Sequence, residues 1–279
     1  MSGLRGSSTL PSRALAVLTL LLSGCLRKLP PPQDLLVTFL DVGQGDAALV
    51  RTPEDETVLL DTGHDARTAR LLRREGVSKI DLLILSHSHD DHAGGLAAVA
   101  KAFRIDEIWY SGLDWKLRAR HRLAKAGRVE MVRAGQQKQF HKLLLTVLHP
   151  EGGPASPRPR GDPVNNNSLV VKVVYGASQF LFPGDCELEC WDELFRAHRP
   201  QLQAEVLKAA HHGSHNGTNS GVLLNVRPKT FIISCGRDNE YHHPHSIVLT
   251  LAQKLGAQIL RIDRQGDIRC LGTQCAPGY

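Results

Sequence analysis

Three imidazoles and two carboxylates stand within six residues at His87-Ser88-His89-Asp90-Asp91-His92. That is a denser set of donor groups than a solvated loop needs. Imidazole nitrogen and carboxylate oxygen are the usual protein donors for zinc, manganese or iron. The apolar run Ile80–Leu85 just before the cluster predicts a short buried strand, so the donors sit where a strand ends. Gly94 and Gly95 then permit close backbone turns before a helix over Leu96–Phe103. On such a backbone His87 and His89 can point one way, while Asp91 and His92 turn toward a second position a few ångströms off. The plainer reading is a polar surface loop that happens to be rich in histidine.

The elements around the cluster follow from apolar runs and turn residues. Leu35–Asp41, Ala47–Arg51 and Thr57–Asp61 predict strands, the first two joined by the turn Gly43-Gln44-Gly45-Asp46 and all three paired as an antiparallel meander. Ala66–Arg74 predicts a helix closed by Gly76. Further strands are expected over Glu107–Tyr110, Arg128–Val132, Leu143–His149, Ser168–Tyr175, Gln179–Phe182, Glu205–Ala210, Thr230–Ser234, Gln258–Ile262 and Asp267–Leu271. Helices are expected over Glu187–His198 and Ser246–Leu255. Trp115–Ala126 predicts a strongly basic helix, either a track for a phosphate backbone or a solvated face. Glu151–Pro163, rich in Gly, Pro and Arg, predicts a loop beside Asn165-Asn166-Asn167-Ser168. The strand–helix order, given twice with donor-bearing loops at one edge, predicts an α/β fold with a four-layer αββα sandwich.

Composition narrows the class. At 279 residues, 42% hydrophobic and 22% charged, the chain has an ordinary globular balance that excludes disorder. The formal charge of +6 includes Arg5 and Arg13 and does not by itself imply nucleic acid. Those two arginines precede the apolar stretch Ala14–Leu22, which is well short of the ~20 residues a spanning helix needs. Residues 1–25 therefore read as an export signal. Leu22-Ser23-Gly24-Cys25 resembles the lipobox of bacterial lipoproteins, which would put a lipid on Cys25; a plain signal peptide or an uncleaved anchor is the alternative. Leu26 after the Cys gives no inner-membrane retention signal, and residues 26–34, with Pro30-Pro31-Pro32, read as a stiff tether to a domain over 35–279. The expected location is the cell envelope, lipid-anchored to a membrane. Of the remaining cysteines, Cys186 with Cys190 and Cys270 with Cys275 are the candidate pairs, leaving Cys235 free. No CxxC spacing is present to suggest a structural zinc knuckle.

The motifs together resemble the metallo-β-lactamase superfamily. His87-Ser88-His89-Asp90-Asp91-His92 matches its HxHxDH signature, and Asp61-Thr62-Gly63 resembles its structural Asp motif. Pro183-Gly184-Asp185 resembles the motif whose Asp bridges two metals, and His211-His212-Gly213-Ser214 the motif of the last His ligand. Leu40-Asp41-Val42-Gly43-Gln44-Gly45-Asp46-Ala47, Asn166-Asn167-Ser168-Leu169-Val170 and Asn239-Glu240-Tyr241-His242-His243-Pro244-His245 are similar to the soluble hydrolase-like domain of ComEC-type competence proteins of bacterial DNA uptake. That resemblance runs from about Leu36 to Ile268 and lacks the multi-span membrane part, so no channel role is carried over.

The resemblance implies two divalent ions, Zn or Mn, and no nucleotide cofactor. His87 and His89 would hold the first ion, Asp91 and His92 the second, with Asp185 between them. The last ligand would be His211 or His212. Neighbouring strand residues face opposite ways, so one of the pair is expected to bind, His212 being favoured. Where the superfamily usually places a third His for the first ion, this chain has Asn165–Asn167. An amide oxygen is a harder donor, which shifts that position toward manganese or magnesium; His149 is a substitute ligand or, more simply, a packed strand-end residue. Such a pair of ions would polarise the substrate and activate water, with Asp91 in the catalytic centre and His243 stabilising developing charge or protonating a leaving group. The function expected is a metal-dependent phosphodiesterase or DNA nuclease at the cell envelope. The alternatives are hydrolysis of small esters, such as phosphorylcholine esters or lactones, and a non-catalytic DNA-binding module.

Overall fold

The computed structural model describes residues 30–112, 127–151 and 161–278. Its strands in chain order are β1 (Leu36–Phe39), β2 (Ala48–Arg51), β3 (Thr57–Leu60), β4 (Lys79–Ile80), β5 (Leu82–Leu85), β6 (Arg104–Ile105), β7 (Glu107–Tyr110), β8 (Arg128–Met131), β9 (Gln137–Phe140), β10 (Leu143–His149), β11 (Val170–Tyr175), β12 (Ser178–Phe182), β13 (Val206–Lys208), β14 (Thr230–Ile233), β15 (Gln258–Arg261), β16 (Ile268–Leu271) and β17 (Gln274–Pro277). One sheet runs β17-β16-β1-β2-β3-β5-β7-β8 and the other β15-β14-β13-β12-β11-β10-β9. The meander β1–β2–β3 is antiparallel, as expected. Toward one side of each sheet the pairing turns parallel, through β3, β5, β7 and β8 in the first and β12 to β15 in the second.

Burial on both faces explains why the strands read as unbroken apolar runs. In β5, Leu82 and Ile84 enter the core between the sheets. Leu83 and Leu85 enter a second core, beneath helices Arg67–Arg74 and Leu96–Ala102. In β14, Ile232 points between the sheets. Phe231 and Ile233 pack under helices Leu188–Ala197, Ser220–Val226 and Ser246–Lys254. Each fully buried Leu, Ile or Phe contributes about 1.5–3 kcal/mol. The result is the four-layer αββα sandwich.

The carboxyl ends of β3, β5, β12, β13 and β14 gather at one edge, where the loops carrying Asp61, His87–His92, Asp185, His211-His212 and His243 begin. Gly45 holds one of these loops close. Its φ is +131°, and a Cβ there would lie 2.2 Å from the Asp91 carbonyl oxygen. The adjacent Asp46 amide donates to that same oxygen at 3.0 Å.

Several elements depart from expectation. Asp90–Ala93 forms a short helix inside the donor cluster. The strand expected over Glu205–Ala210 ends at Lys208, and Ala210–Gly213 is a tight 3-10 turn. β9, β17 and helix Ser220–Val226 are additions whose polar or short sequences carry little periodicity. Cys186–Cys190 and Cys270–Cys275 are disulfides, the second across the β16–β17 ladder, and Cys235 is a buried free thiol. The export signal with Cys25, the basic helix over Trp115–Ala126 and most of the Glu151–Pro163 loop lie outside the described residues. Among those described, no helix is long and apolar enough to cross a membrane.

Candidate metal centre

Asp61 sets the geometry. At the end of β3 its carboxylate accepts the Ser86 amide at 2.7 Å and the Ser86 hydroxyl at 2.8 Å, and it meets His92 Nδ1 at 2.8 Å. An Nδ1–H donated to Asp61 leaves the other nitrogen of His92, Nε2, with its lone pair facing inward. That atom lies 3.1 Å from Asp185 Oδ1 and 3.3 Å from His212 Nε2. His212 is locked in the same way: Nδ1 donates to the Ser234 carbonyl at 2.9 Å. Its Nε2 therefore faces Asp91 Oδ2 at 3.0 Å and Asp185 Oδ2 at 3.4 Å. Two imidazole lone pairs and two carboxylates thus converge on one buried point, and like donors this close call for a cation between them.

A second position lies alongside. His87 is fully buried, and its Nε2 has no hydrogen-bond partner among the described residues, 4.0 Å from Asp185 Oδ2. Asn165 Oδ1 is also buried without a partner, while its Nδ2 donates to Glu187 at 3.2 Å. Asn165, His89 and His211 line the same open cavity of 680 Å³ as Asp91, Asp185 and His212. This orphaned imidazole and amide oxygen fit a second divalent ion, with the harder donor where the sequence places Asn. The residues present fit two ions.

His89 and His211 stay outside the tight clusters. His89 is half exposed, with Nε2 3.9 Å from Asp162 Oδ2. His211 faces Asp185 Oδ2 at 3.8 Å and Glu187 Oε1 at 3.2 Å. The strand argument for choosing between His211 and His212 does not hold. Both sit in a left-handed turn, at φ 48° and 55°, which aims both rings toward Asp185. Two consecutive non-glycine residues there cost about 1–3 kcal/mol each, a strain of the kind kept at working sites. His149 is outside both tight clusters, buried against Ser168 O at 3.1 Å and Glu193 at 3.2 Å as a packed strand-end residue. His243 lines the cavity half-buried; burial and the neighbouring His212 and His211 push its imidazole down to about 3, so it is neutral at pH 7.

Burial favours the neutral forms of His92 and His212. The Asp185 carboxylate, helped by Asp61 for His92 and by Asp46 for His212, outweighs it and raises both well above the ordinary histidine value. Asp185 is correspondingly held well below the carboxylate range, against burial, by His212 and His92. With no divalent ion bound, protons on these rings balance the carboxylates.

Sequence reasoning missed one charged pair. Lys208, on β13, is buried and ion-paired with Asp46, and its Nζ lies 3.9 Å from Asp185 Oδ1. Against burial, Lys208 draws the Asp46 carboxyl down to about 2. The Asp46 carboxylate approaches His212 from its Nδ1 side at 3.5 Å and His92 from its Nδ1 side at 3.8 Å. It therefore braces the backs of both rings, and its own charge is answered by Lys208. A lysine inside the apolar run Val206–Ala210 was the available signal.

The superfamily model described as metallo-beta-lactamase matches residues 40–237. The chain belongs to the metallo-β-lactamase superfamily. Within it, the chain is 31% identical over 258 residues to ComE operon protein 3 of Bacillus subtilis, covering 84% of this chain and 32% of that protein. It is 33% identical over 258 residues to competence protein ComA of Neisseria gonorrhoeae, covering 90% and 34%. The chain thus spans about a third of the length of these relatives. Among solved structures, the metallo-β-lactamase fold protein YhfI of Bacillus subtilis superposes with a TM-score of 0.54 at 15% identity, over 82% of this chain and 96% of that one. That likeness shows the fold. Membership makes the chain a hydrolase of this fold with a metal-binding His/Asp cluster.

Two outcomes are expected. Metal uptake must displace protons from His92 and His212, whose pKa values are raised, so apparent affinity rises with pH until those values are passed. Calorimetric titration of Mn²⁺ at pH 7 in two buffers of different ionisation enthalpy should show net proton release; uptake of protons, or none exchanged, would contradict the assignment. Lys208→Met should cost about 3–5 kcal/mol in urea unfolding of metal-free protein, because it strands the Asp46 charge. Adding Asp46→Asn should recover most of that loss, whereas additive losses would show that the two do not act as a pair.

Proposed function

We propose that this chain is a phosphodiesterase that uses two divalent ions, manganese or zinc, and takes DNA as its substrate. The observation that supports it most is the convergence of His92, His212, Asp91 and Asp185 beside the orphaned Nε2 of His87, open to a cavity of 680 Å³. In this reading His92, His212 and Asp91 hold one ion. His87, with His89 and Asn165, holds the other, and Asp185 lies between them. His211, 3.8 Å from Asp185, borders the pair rather than completing it. When bound, the ions supply Lewis acidity and an activated water to a phosphoryl centre.

The chain's own residues do the rest. Asp61 and Ser234 O hold the outer Nδ1–H of each ring, so the inward Nε2 is the nitrogen that gives up its proton to an ion. The Lys208–Asp46 pair keeps both rings from turning. His243, neutral at pH 7, donates a hydrogen bond to charge developing on the phosphate or the leaving oxygen, rather than acting as an imidazolium acid. DNA is favoured over small esters by similarity to a protein named for competence. A lipid on Cys25, with residues 26–34 as tether, would hold the domain at the cell envelope.

The test is turnover by the purified full chain. Loaded with Mn²⁺ or Zn²⁺, it should cleave bis-p-nitrophenyl phosphate and single-stranded DNA. Asp91→Ala should lower both rates by about 100-fold or more, beyond what loss of an outer hydrogen-bond partner costs. Turnover of phosphorylcholine esters or lactones without diester cleavage would overturn the reading in favour of a small-ester hydrolase. Salt-sensitive DNA binding without turnover of any of these would favour a binding module.

A further inference from the structure

Tyr241 is 54% exposed, a large aromatic ring set at the mouth of a cavity otherwise dominated by charge. The ring stacks on His243, with centroids 5.7 Å apart and planes at 24°. His243 stacks in turn on His212 at 6.2 Å and 29°. The three rings form a column that runs from solvent to the nitrogen facing Asp91 and Asp185.

The column is braced. Asn239 accepts the His243 amide at 2.9 Å and donates to the carbonyls of Gly236 and His243 at 2.9 and 2.8 Å. His245 and His211 set their rings edge-on to His243, at 5.0 and 5.5 Å. His243 is thus a fixed support beside Tyr241, and a fixed support limits the freedom lost when something lies on the tyrosine, which favours binding. The exposed ring of Tyr241 offers an apolar, planar surface in the same cavity as Asp91 and Asp185, which has room for far more than a phosphate. A flat heteroaromatic ring joined to that phosphate suits it by shape and by stacking, and one aromatic side chain serves any of the four bases. Among the described residues Arg67 is the one Lys or Arg lining this cavity, placed for a flanking phosphate.

We propose that Tyr241, stacked on His243, is the subsite for the nucleobase adjoining the scissile phosphate, and that the cleft therefore takes single-stranded nucleotide chains. The subsite rests on the phosphodiesterase reading above. An internal base of a duplex has both faces covered by its neighbours and must leave the stack before it can reach Tyr241.

Two esters with the same leaving group isolate the base: thymidine 5′-(p-nitrophenyl phosphate) and methyl p-nitrophenyl phosphate. With Mn²⁺-loaded full chain, kcat/KM should favour the nucleoside ester. Tyr241→Ala should cut that preference ratio by about tenfold, whereas Tyr241→Phe should keep it, because stacking needs the ring and not the hydroxyl. The ratio divides out any loss common to both esters. An unchanged ratio in Tyr241→Ala would overturn the proposal. A readout without turnover is the fluorescence of a tetranucleotide carrying 2-aminopurine, bound in Ca²⁺. The wild type and Tyr241→Phe should quench it, and Tyr241→Ala should quench it less; equal quenching in all three again overturns the subsite. A wild-type chain that hydrolyses neither ester removes the phosphodiesterase reading, and the quenching comparison then decides the stacking claim by itself.

Discussion

The Asp185 carboxylate is buried at the meeting of the two sheets, with His92 Nε2 at 3.1 Å, His212 Nε2 at 3.4 Å, Lys208 Nζ at 3.9 Å and His87 Nε2 at 4.0 Å. A carboxylate taken out of water at this depth is tolerated only where positive charge surrounds it. His87 and His92 come from the first sheet, Lys208 and His212 from the second. The requirement to compensate this one anion therefore ties the two halves of the sandwich together at their active edge.

The rest of the edge can be read as support for that requirement. Asp61 and Ser234 each spend a hydrogen bond on the outer nitrogen of an imidazole, which decides where its inner lone pair points. Gly45 lets the first interstrand turn touch the backbone of Asp91. The left-handed turn at His211 and His212 carries strain that the packed surroundings must hold. Site and fold are coupled here in a definite sense: without a cation the converging donors repel, and protons on His92 and His212 supply the balance. The same edge has an apolar feature, the row of rings from Tyr241 to His212, which meets the donor cluster at one histidine.

Much of this was legible from residue order. The apolar runs marked most strands of both sheets, because a strand buried on two faces has no polar alternation to blur it. The donor motif pointed to His87, Asp91 and His92, and Pro183-Gly184-Asp185 to the central carboxylate. Three things were not legible. The turn at His211-His212 depends on positive φ at two non-glycine residues, which propensity argues against, so a strand was expected there. Lys208 stands inside an apolar run, but its partner, Asp46, lies far away in sequence, so the pair left no local pattern. β9 has the polar sequence Gln137–Phe140 and pairs only because β10 presents an edge to it. The first two are set by long-range contacts, and β9 by a hairpin partner whose own sequence carries the apolar signal.

In the proposed function, two ions share Asp185. Anomalous diffraction from crystals of the chain soaked in Mn²⁺ tests it most directly. Two peaks a few ångströms apart are expected on either side of the Asp185 carboxylate, one against His92, His212 and Asp91 and the other against His87. A single peak, or none in contact with Asp185, would contradict it.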